Sequence, residues 1–288
     1  MGRVCILTDN SAQFPQLGFE GRNDVLSIPL RIEHQGKIYE DNKDLKTSFL
    51  PAIASDTNHV QLIPPGVDSF VKLFTHTAQD YDEILAIFHS SGLSPLYSQA
   101  LEAAHQLVGQ VKITLIDSQT TSIGLGIMVQ MAAQAAAQSK PVAEIEKDIR
   151  SLIPHTYMVL CIPGLSYLYY SGIIDRSQAF VGEMLGILPL FTLEDGKLSA
   201  IEKVRNNRAL LDFLQEFILE FENIMHIAFI QSVPPLSREV RVLREQAQLN
   251  FPKVPFSEHT ISPSLAAIVG PRSNGLIIVE KTNAKTGS

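Results

Sequence analysis

Short apolar runs alternate with helical patterns through the first half of the chain. Residues 3–8, 83–88 and 112–117 are almost continuously apolar, which is typical of buried strands. Between these runs, residues 64–74 carry apolar side chains at helical spacing, and residues 122–138 form a helix rich in small residues. Apolar strands joined by helices predict a parallel sheet that is covered on both faces.

The pattern changes near residue 155. Residues 188–203 contain two apolar runs around Asp195-Gly196, a dipeptide that strongly favours a β-hairpin. Further strand patterns follow one another with fewer helices between them, at 157–162, 224–233, 254–259 and 275–281. We therefore predict an α/β protein with two domains. They are an N-terminal α/β domain with a parallel sheet at 1–155 and a C-terminal α+β domain with a mixed or antiparallel sheet at 156–288.

Composition narrows the class of protein. The chain has 288 residues, of which 45% are hydrophobic and 18% charged, as in folded globular proteins. Its net charge of −7 and the lack of a basic block argue against nucleic-acid binding. The apolar run after Arg3 is too short for a signal peptide, and no run is long enough to span a membrane. Cys5 and Cys161 lie in apolar strands, so we expect buried thiols and a cytoplasmic location.

The stretch HSSGLSPLYSQA at 89–100 supports two interpretations. Ser94 followed by Pro95 suits the start of a helix, where the serine oxygen accepts a backbone N–H and proline loses no needed donor. A helix N-terminus also favours anions, and Ser91 and its neighbours add hydroxyl donors. The stretch is therefore either a helix cap alone or a site for a carboxylate or phosphate.

Catalytic motifs are weak in this sequence. It contains no G-x-S-x-G, no phosphate-binding G-x-x-x-x-G-K-[ST] and no C-x-x-C, and its histidines lack metal-ligand spacing. Asp9 and Asp117 end two strands and would suit acid/base partners, although each also suits the cap of the following turn. The lone Gly124-Leu-Gly126 favours close helix packing over dinucleotide binding. We expect no cofactor and no metal.

Several motifs together resemble the DegV family. They run in the family's order from LTDNSA (7–12) through SSGLSPLYSQA (90–100) and GILPLFTLEDGKL (186–198) to VGPRSNG (269–275). The resemblance implies a bacterial two-domain protein that holds a long-chain fatty acid between its domains. It also implies a carrier, rather than an enzyme, that presents the acyl chain to a separate fatty-acid kinase subunit. The family serine that holds the carboxylate matches Ser94.

The chain departs from the family at several positions around this head group. Gln61 stands where the family has a threonine that also meets the carboxylate. The family's G-G-R-I is Ser171-Gly172-Ile173-Ile174 here, so its arginine is missing, and the family's histidine is replaced by Ile268. Arg272 lies just beyond the position of that histidine, and its guanidinium suits a carboxylate, although a solvated loop arginine is the simpler interpretation.

These observations predict a cytoplasmic fatty-acid carrier with Ser94, Gln61, Ser91 and Arg272 around the carboxylate. Two alternatives stay open. One is a phosphotransferase or hydrolase that uses Ser94, Asp9 or Asp117 on a small anionic substrate. The other is a binder of a different apolar ligand, which the lost arginine and histidine would favour.

Overall fold

The N-terminal sheet consists of parallel strands, as predicted. In a computed structural model, which describes residues 2–42, 44–184 and 186–282, this sheet has four strands in the order β2-β1-β6-β7. Every pair in it is parallel. The strands are Val4–Asp9 (β1), Val25–Ile28 (β2), Glu83–Phe88 (β6) and Ile113–Asp117 (β7). Most of their apolar side chains are buried because helices cover both faces.

The N-terminal half also contains a second, smaller sheet. It is antiparallel with the order β4-β3-β5. Its strands are Arg31–His34 (β3), Lys37–Glu40 (β4) and Val60–Ile63 (β5). A turn at Gln35-Gly36 joins β3 to β4, and both turn residues have positive φ. The sequence pattern did not predict β5.

The C-terminal sheet is mixed, as predicted. It has six strands in the order β10-β9-β8-β13-β11-β12, and within it only the β11–β12 pair is parallel. The strands are Thr156–Cys161 (β8), Leu188–Glu194 (β9), Lys197–Val204 (β10), Ile224–Gln231 (β11), Phe256–Thr260 (β12) and Asn274–Glu280 (β13). Asp195 and Gly196 form the two-residue turn of the β9–β10 hairpin with positive φ at both positions.

The described part of the chain has helices on both sides of these sheets. They are Val67–Thr77 (α1), Leu96–Gln106 (α2), Ser122–Ala137 (α3), Val142–Leu152 (α4), Ser166–Tyr170 (α5), Arg176–Met184 (α6), Asn207–Leu219 (α7), Ser237–Asn250 (α8) and Pro263–Val269 (α9). None is long and apolar enough to cross a membrane. Short 3-10 turns occur at Arg22–Asp24, Thr47–Phe49 and Ile153–His155.

One extended hydrophobic cluster takes buried residues from both predicted domains, including Leu85 and Ile123 from the first and Tyr167 and Ile268 from the second. The last six residues of the predicted C-terminal domain, 283–288, lie outside the described residues.

Cys5 and Cys161 are buried free thiols, as expected. Burial raises the pKa of each to about 12.

Gly126 is a packing residue, in agreement with the sequence interpretation. A Cβ at this position in α3 would lie 1.9 Å from the carbonyl oxygen of Gln13. We expect Gly126→Ala to lower the free energy of unfolding by about 1–3 kcal/mol, because backbone would have to move. Urea unfolding measures this loss. Gly18→Ala is the control, since a Cβ there would meet nothing within 4 Å. Equal stability of both variants would contradict this account of Gly126.

Candidate functional site

The serine loop occupies the carboxyl edge of the parallel sheet. It follows β6, one of the two central strands, and leads into α2, so Asp9 at the end of β1 and Asp117 at the end of β7 lie on either side of it. Ligands bind at this edge in open α/β sheets. Asp117 Oδ1 accepts hydrogen bonds from the backbone N–H groups of Ser91, at 3.2 Å, and Gln119, at 3.0 Å. Asp117 therefore holds the loop, as the capping interpretation predicts.

Asp9 is a fully buried carboxylate with several partners. Its Oδ1 accepts the N–H of Ser11 at 3.0 Å, and its Oδ2 accepts the backbone N–H of His89 at 2.9 Å. Burial alone would raise the pKa of Asp9, but the His89 imidazole and these hydrogen bonds outweigh burial and lower the pKa below its usual value. Asp9 is therefore an ionised group inside the protein at neutral pH.

His89 connects this carboxylate to the serine loop. Its Nδ1 lies 3.1 Å from Asp9 Oδ1, and its Nε2 lies 2.6 Å from Ser94 Oγ. The Nδ1–Oδ1 contact departs from the geometry of a good hydrogen bond. The imidazole is only 2% exposed, so it has few partners other than these two side chains. Asp9, His89 and Ser94 thus form a continuous polar chain from the sheet interior to the loop.

The protonation state of His89 decides whether the Ser94 hydroxyl can donate its hydrogen to a ligand. The buried carboxylate of Asp9 favours a hydrogen on Nδ1, since a ring lone pair facing it would be repelled. In the neutral imidazole, Nε2 then accepts the Ser94 hydroxyl hydrogen. In the imidazolium, Nε2–H donates to Ser94 Oγ, and the hydroxyl hydrogen is released for another acceptor. A carboxylate ligand at Ser94 requires the second state.

Ser94 also contacts the start of α2. Its Oγ accepts the N–H of Leu96 at 3.3 Å, which is the capping contact predicted from the sequence. The helix begins at Leu96, one residue later than Pro95, the first helical residue of the prediction. First-turn N–H groups of a helix have no acceptor within the helix, and they give this end a partial positive charge. Ser94 is half-buried beside them.

The other predicted ligand residues are more exposed. Ser91 is an exposed loop residue, Gln61 is exposed on β5, and Arg272 is exposed in the loop before β13. Among the described residues, no hydrogen bond or ion pair links these three side chains to Ser94. The structure therefore brings His89 and Asp9 to Ser94 rather than the residues that the family pattern suggested.

Sequence reasoning missed His89, although the sequence contained a usable signal. Leu7 of β1 pairs with Ala86 of β6 in parallel register. Two residues further along each strand, this register places Asp9 beside the last residue of β6. His89 follows that residue directly. A histidine just after a central strand, beside a neighbouring strand that ends in aspartate, predicts an Asp–His contact once the strand order is known.

The tip of the β9–β10 hairpin touches the serine loop. Ser90 Oγ donates to the carbonyl oxygen of Gly196. A Cβ on Gly92 would lie 2.2 Å from the same oxygen, so only glycine permits this approach. The loop thus lies where the N-terminal sheet meets the C-terminal hairpin.

A cavity of about 510 Å³ opens beside Asn10, at the end of β1. Ser94 does not line this cavity. The lining residues come from both halves of the chain and are Asn10, Gln13, Asn42, Leu45, Lys46, Thr47, Ser48, Val233, Thr260, Ile261, Ser262 and Pro263. Within the described ranges, no group of three His, Cys, Asp or Glu side chains is placed to hold a metal ion.

Asp41 links the two halves near this cavity. Its carboxylate accepts the N–H of Ser264 at 3.0 Å, and its carbonyl oxygen accepts the side-chain amide of Asn10. Burial raises the pKa of Asp41 to about 6, while the hydrogen bonds from Ser264 oppose the rise. The charged form of Asp41 is therefore disfavoured in the folded protein.

Asp41→Asn is expected to stabilise the protein in a pH-dependent way. The folded-state pKa of Asp41 lies above its unfolded value, so the wild type loses stability as pH rises from about 4 to about 6. At about 1.4 kcal/mol per pKa unit, the variant should gain about 2–3 kcal/mol relative to wild type between pH 4 and 7.5. Urea unfolding across this range measures the gain. The exposed Asp44→Asn should show a flat difference, and a flat difference for Asp41→Asn would contradict the assignment.

Comparison with known proteins identifies the family. A family model described as "Uncharacterised protein, DegV family" matches residues 3–281. The chain belongs to the DegV family. The resemblance found in the motifs is therefore confirmed. A DegV domain-containing protein of Staphylococcus aureus (strain COL) is 26% identical over 290 residues, covering 98% of this chain and 100% of the relative.

Solved DegV structures share the fold. A fatty-acid-binding DegV family protein from Streptococcus agalactiae has a TM-score of 0.85 at 21% identity, covering 98% of this chain and all of the other. A DegV family protein from Thermus thermophilus, described by its fatty acid binding, has a TM-score of 0.81 at 22% identity, covering 97% and 100%. The Streptococcus pneumoniae fatty acid kinase (Fak) B3 protein, loaded with linoleic acid, has a TM-score of 0.82 at 16% identity, covering 97% and 100%. The predicted α/β architecture is confirmed.

Proposed function

We propose that this DegV protein is a cytoplasmic carrier that binds a long-chain fatty acid, with the carboxylate at Ser94 and the acyl chain between the two domains. The observation that carries the proposal is the Ser94 hydroxyl, which lies at the start of α2 and 2.6 Å from His89 Nε2. A hydroxyl, helix N–H groups and an imidazolium together suit a single negative charge. The fatty acids bound by the similar DegV structures support this ligand class.

Burial of the acyl tail supplies the affinity in this proposal. A sixteen-carbon chain removes about fourteen methylene groups from water at about 0.8 kcal/mol each. The gross gain of about 11 kcal/mol is reduced by the costs of association and ordering. The head group then needs only a few hydrogen bonds to select a carboxylate.

The same carboxylate is proposed to accept further hydrogen bonds from the side chains of Ser91, Gln61 and Arg272. Ser91 belongs to the same loop as Ser94, and Arg272 offers a forked guanidinium. In this proposal, movement of their exposed side chains on ligand binding would bring them to the carboxylate.

A fatty-acid kinase subunit is the proposed partner. The likeness to the Fak B3 protein supports this partner. In this role the protein presents the fatty acid unchanged, and the kinase carries out the chemistry. The absence of the family's arginine and histidine means that a kinase would meet a different head-group environment here.

Native mass spectrometry of the purified protein, followed by lipid extraction, tests the ligand class. A stoichiometric fatty acid is the expected result. A neutral lipid in its place would favour the alternative apolar ligand, and a protein that stays empty when offered palmitate would contradict fatty-acid binding.

Palmitate binding is expected to take up a proton. A carboxylate at Ser94 requires the imidazolium of His89, so a neutral imidazole there must gain a proton when palmitate binds. Calorimetric titration in two buffers with different ionisation enthalpies measures the number of protons taken up. His89→Gln should remove the uptake, while His105→Gln, at an exposed position on α2, should keep it. Binding heats that do not depend on the buffer would contradict proton uptake by His89 on binding.

A further inference from the structure

Asp9, His89 and Ser94 have the arrangement of an orienting acid, a general base and a nucleophile. The base–nucleophile distance is 2.6 Å, and the imidazole has an ionised, buried carboxylate on its other nitrogen. In acyl-transfer enzymes, such a carboxylate holds the tautomer in which Nε2 is free to accept the serine proton. With a neutral imidazole the same set suits a nucleophile, because His89 Nε2 then accepts the serine hydrogen that a carboxylate ligand would need.

We propose that this set hydrolyses long-chain acyl esters and thioesters and leaves the fatty acid product in its own binding site. The proposal rests on the proposed function in one respect: an acyl chain bound as described places its carbonyl carbon at Ser94.

The first step transfers the acyl group to serine. Ser94 Oγ attacks the carbonyl carbon while His89 Nε2 takes the hydroxyl proton. The ester C–O bond or thioester C–S bond then breaks, and the leaving alkoxide or thiolate takes that proton from His89. First-turn N–H groups of α2 lie next to Ser94, where they would stabilise the oxyanion.

Water completes the reaction. It attacks the acyl-serine, its proton passes to His89, and the acyl bond to Ser94 Oγ breaks as His89 returns the proton to the serine. The products are the fatty acid and the alcohol or thiol. Ionisation of the fatty acid then protonates His89, which is the state that holds a carboxylate. The product should therefore leave slowly, and turnover should begin with a burst close to one equivalent.

A long-chain alkyl fluorophosphonate tests the nucleophile in the full-length protein. We expect one covalent label per chain, mapped to Ser94 by mass spectrometry, and a burst of nitrophenol from p-nitrophenyl palmitate. Ser94→Ala should abolish both, and His89→Gln should slow both by about 100-fold or more. Ser98→Ala and His105→Gln are matched exposed controls on α2 and should react like wild type.

Palmitate binding, measured on the same preparations, separates this proposal from the carrier function. Binding without labelling at Ser94, or labelling at equal rates in wild type and His89→Gln, would overturn the hydrolase and leave the carrier intact. Labelling at Ser94 without palmitate binding would overturn the carrier. Thermal unfolding of each variant shows that a lost reaction does not come from a lost fold.

Discussion

Replacing Ser94 with alanine is expected to weaken palmitate binding by about 10- to 150-fold. A hydrogen bond to a charged group contributes about 1.5–3 kcal/mol, and the Ser94 hydroxyl is the half-buried donor at the start of α2. Displacement of a fluorescent fatty acid measures the change in affinity. Ser98→Ala is the matched control, because the exposed Ser98 hydroxyl donates to Pro95 O rather than to the site.

Ser94→Gly separates ligand binding from helix capping. Ser94 Oγ also accepts the N–H of Leu96, so alanine would remove a cap as well as the proposed ligand donor. Glycine is tolerated at helix N-caps with a loss of only a few tenths of a kcal/mol. We expect Ser94→Gly to fold almost as stably as wild type and to bind palmitate as poorly as Ser94→Ala. Wild-type affinity in this variant would leave Ser94 with a capping role only.

Replacing His89 with leucine is expected to lower the free energy of unfolding by about 3–5 kcal/mol at pH 7, because it leaves the buried Asp9 charge without its partner. In the wild type the pKa of Asp9 is lowered, so its contribution to stability is present above the unfolded-state value and is lost as pH falls through the folded-state value. The gap between variant and wild type should therefore be large at neutral pH and should shrink only below the ordinary aspartate range, toward about pH 2. Urea unfolding at both values measures it.

The double variant Asp9→Asn/His89→Leu is the control for this assignment. It removes the buried charge together with its partner, so it should recover much of the stability that His89→Leu loses at pH 7. An equal loss at about pH 2 and pH 7, or no recovery in the double variant, would mean that packing of the imidazole rather than charge explains the effect.

Local patterns predicted much of the fold. The β9–β10 hairpin follows from Asp195-Gly196, the parallel sheet from its continuous apolar runs, and α1 from its apolar residues at helical spacing. The pattern did not predict β5, α5, α6 or α9. These elements are short and lie in segments with weak periodicity, and β5 forms only because β3 offers it an edge.

The amino-acid sequence by itself determined the fold class, the helix that begins after Ser94 and the membership of the DegV family. These properties depend on periodicity and on motifs read within short windows of sequence. Only the tertiary structure decided the surroundings of Ser94. Asp9 and His89 are eighty residues apart in sequence and meet because β1 and β6 are neighbours in one sheet. Burial alone disfavours the ionised form of Asp9, and the contact with His89 outweighs burial, so the chemistry of the serine depends on a contact that no local pattern encodes.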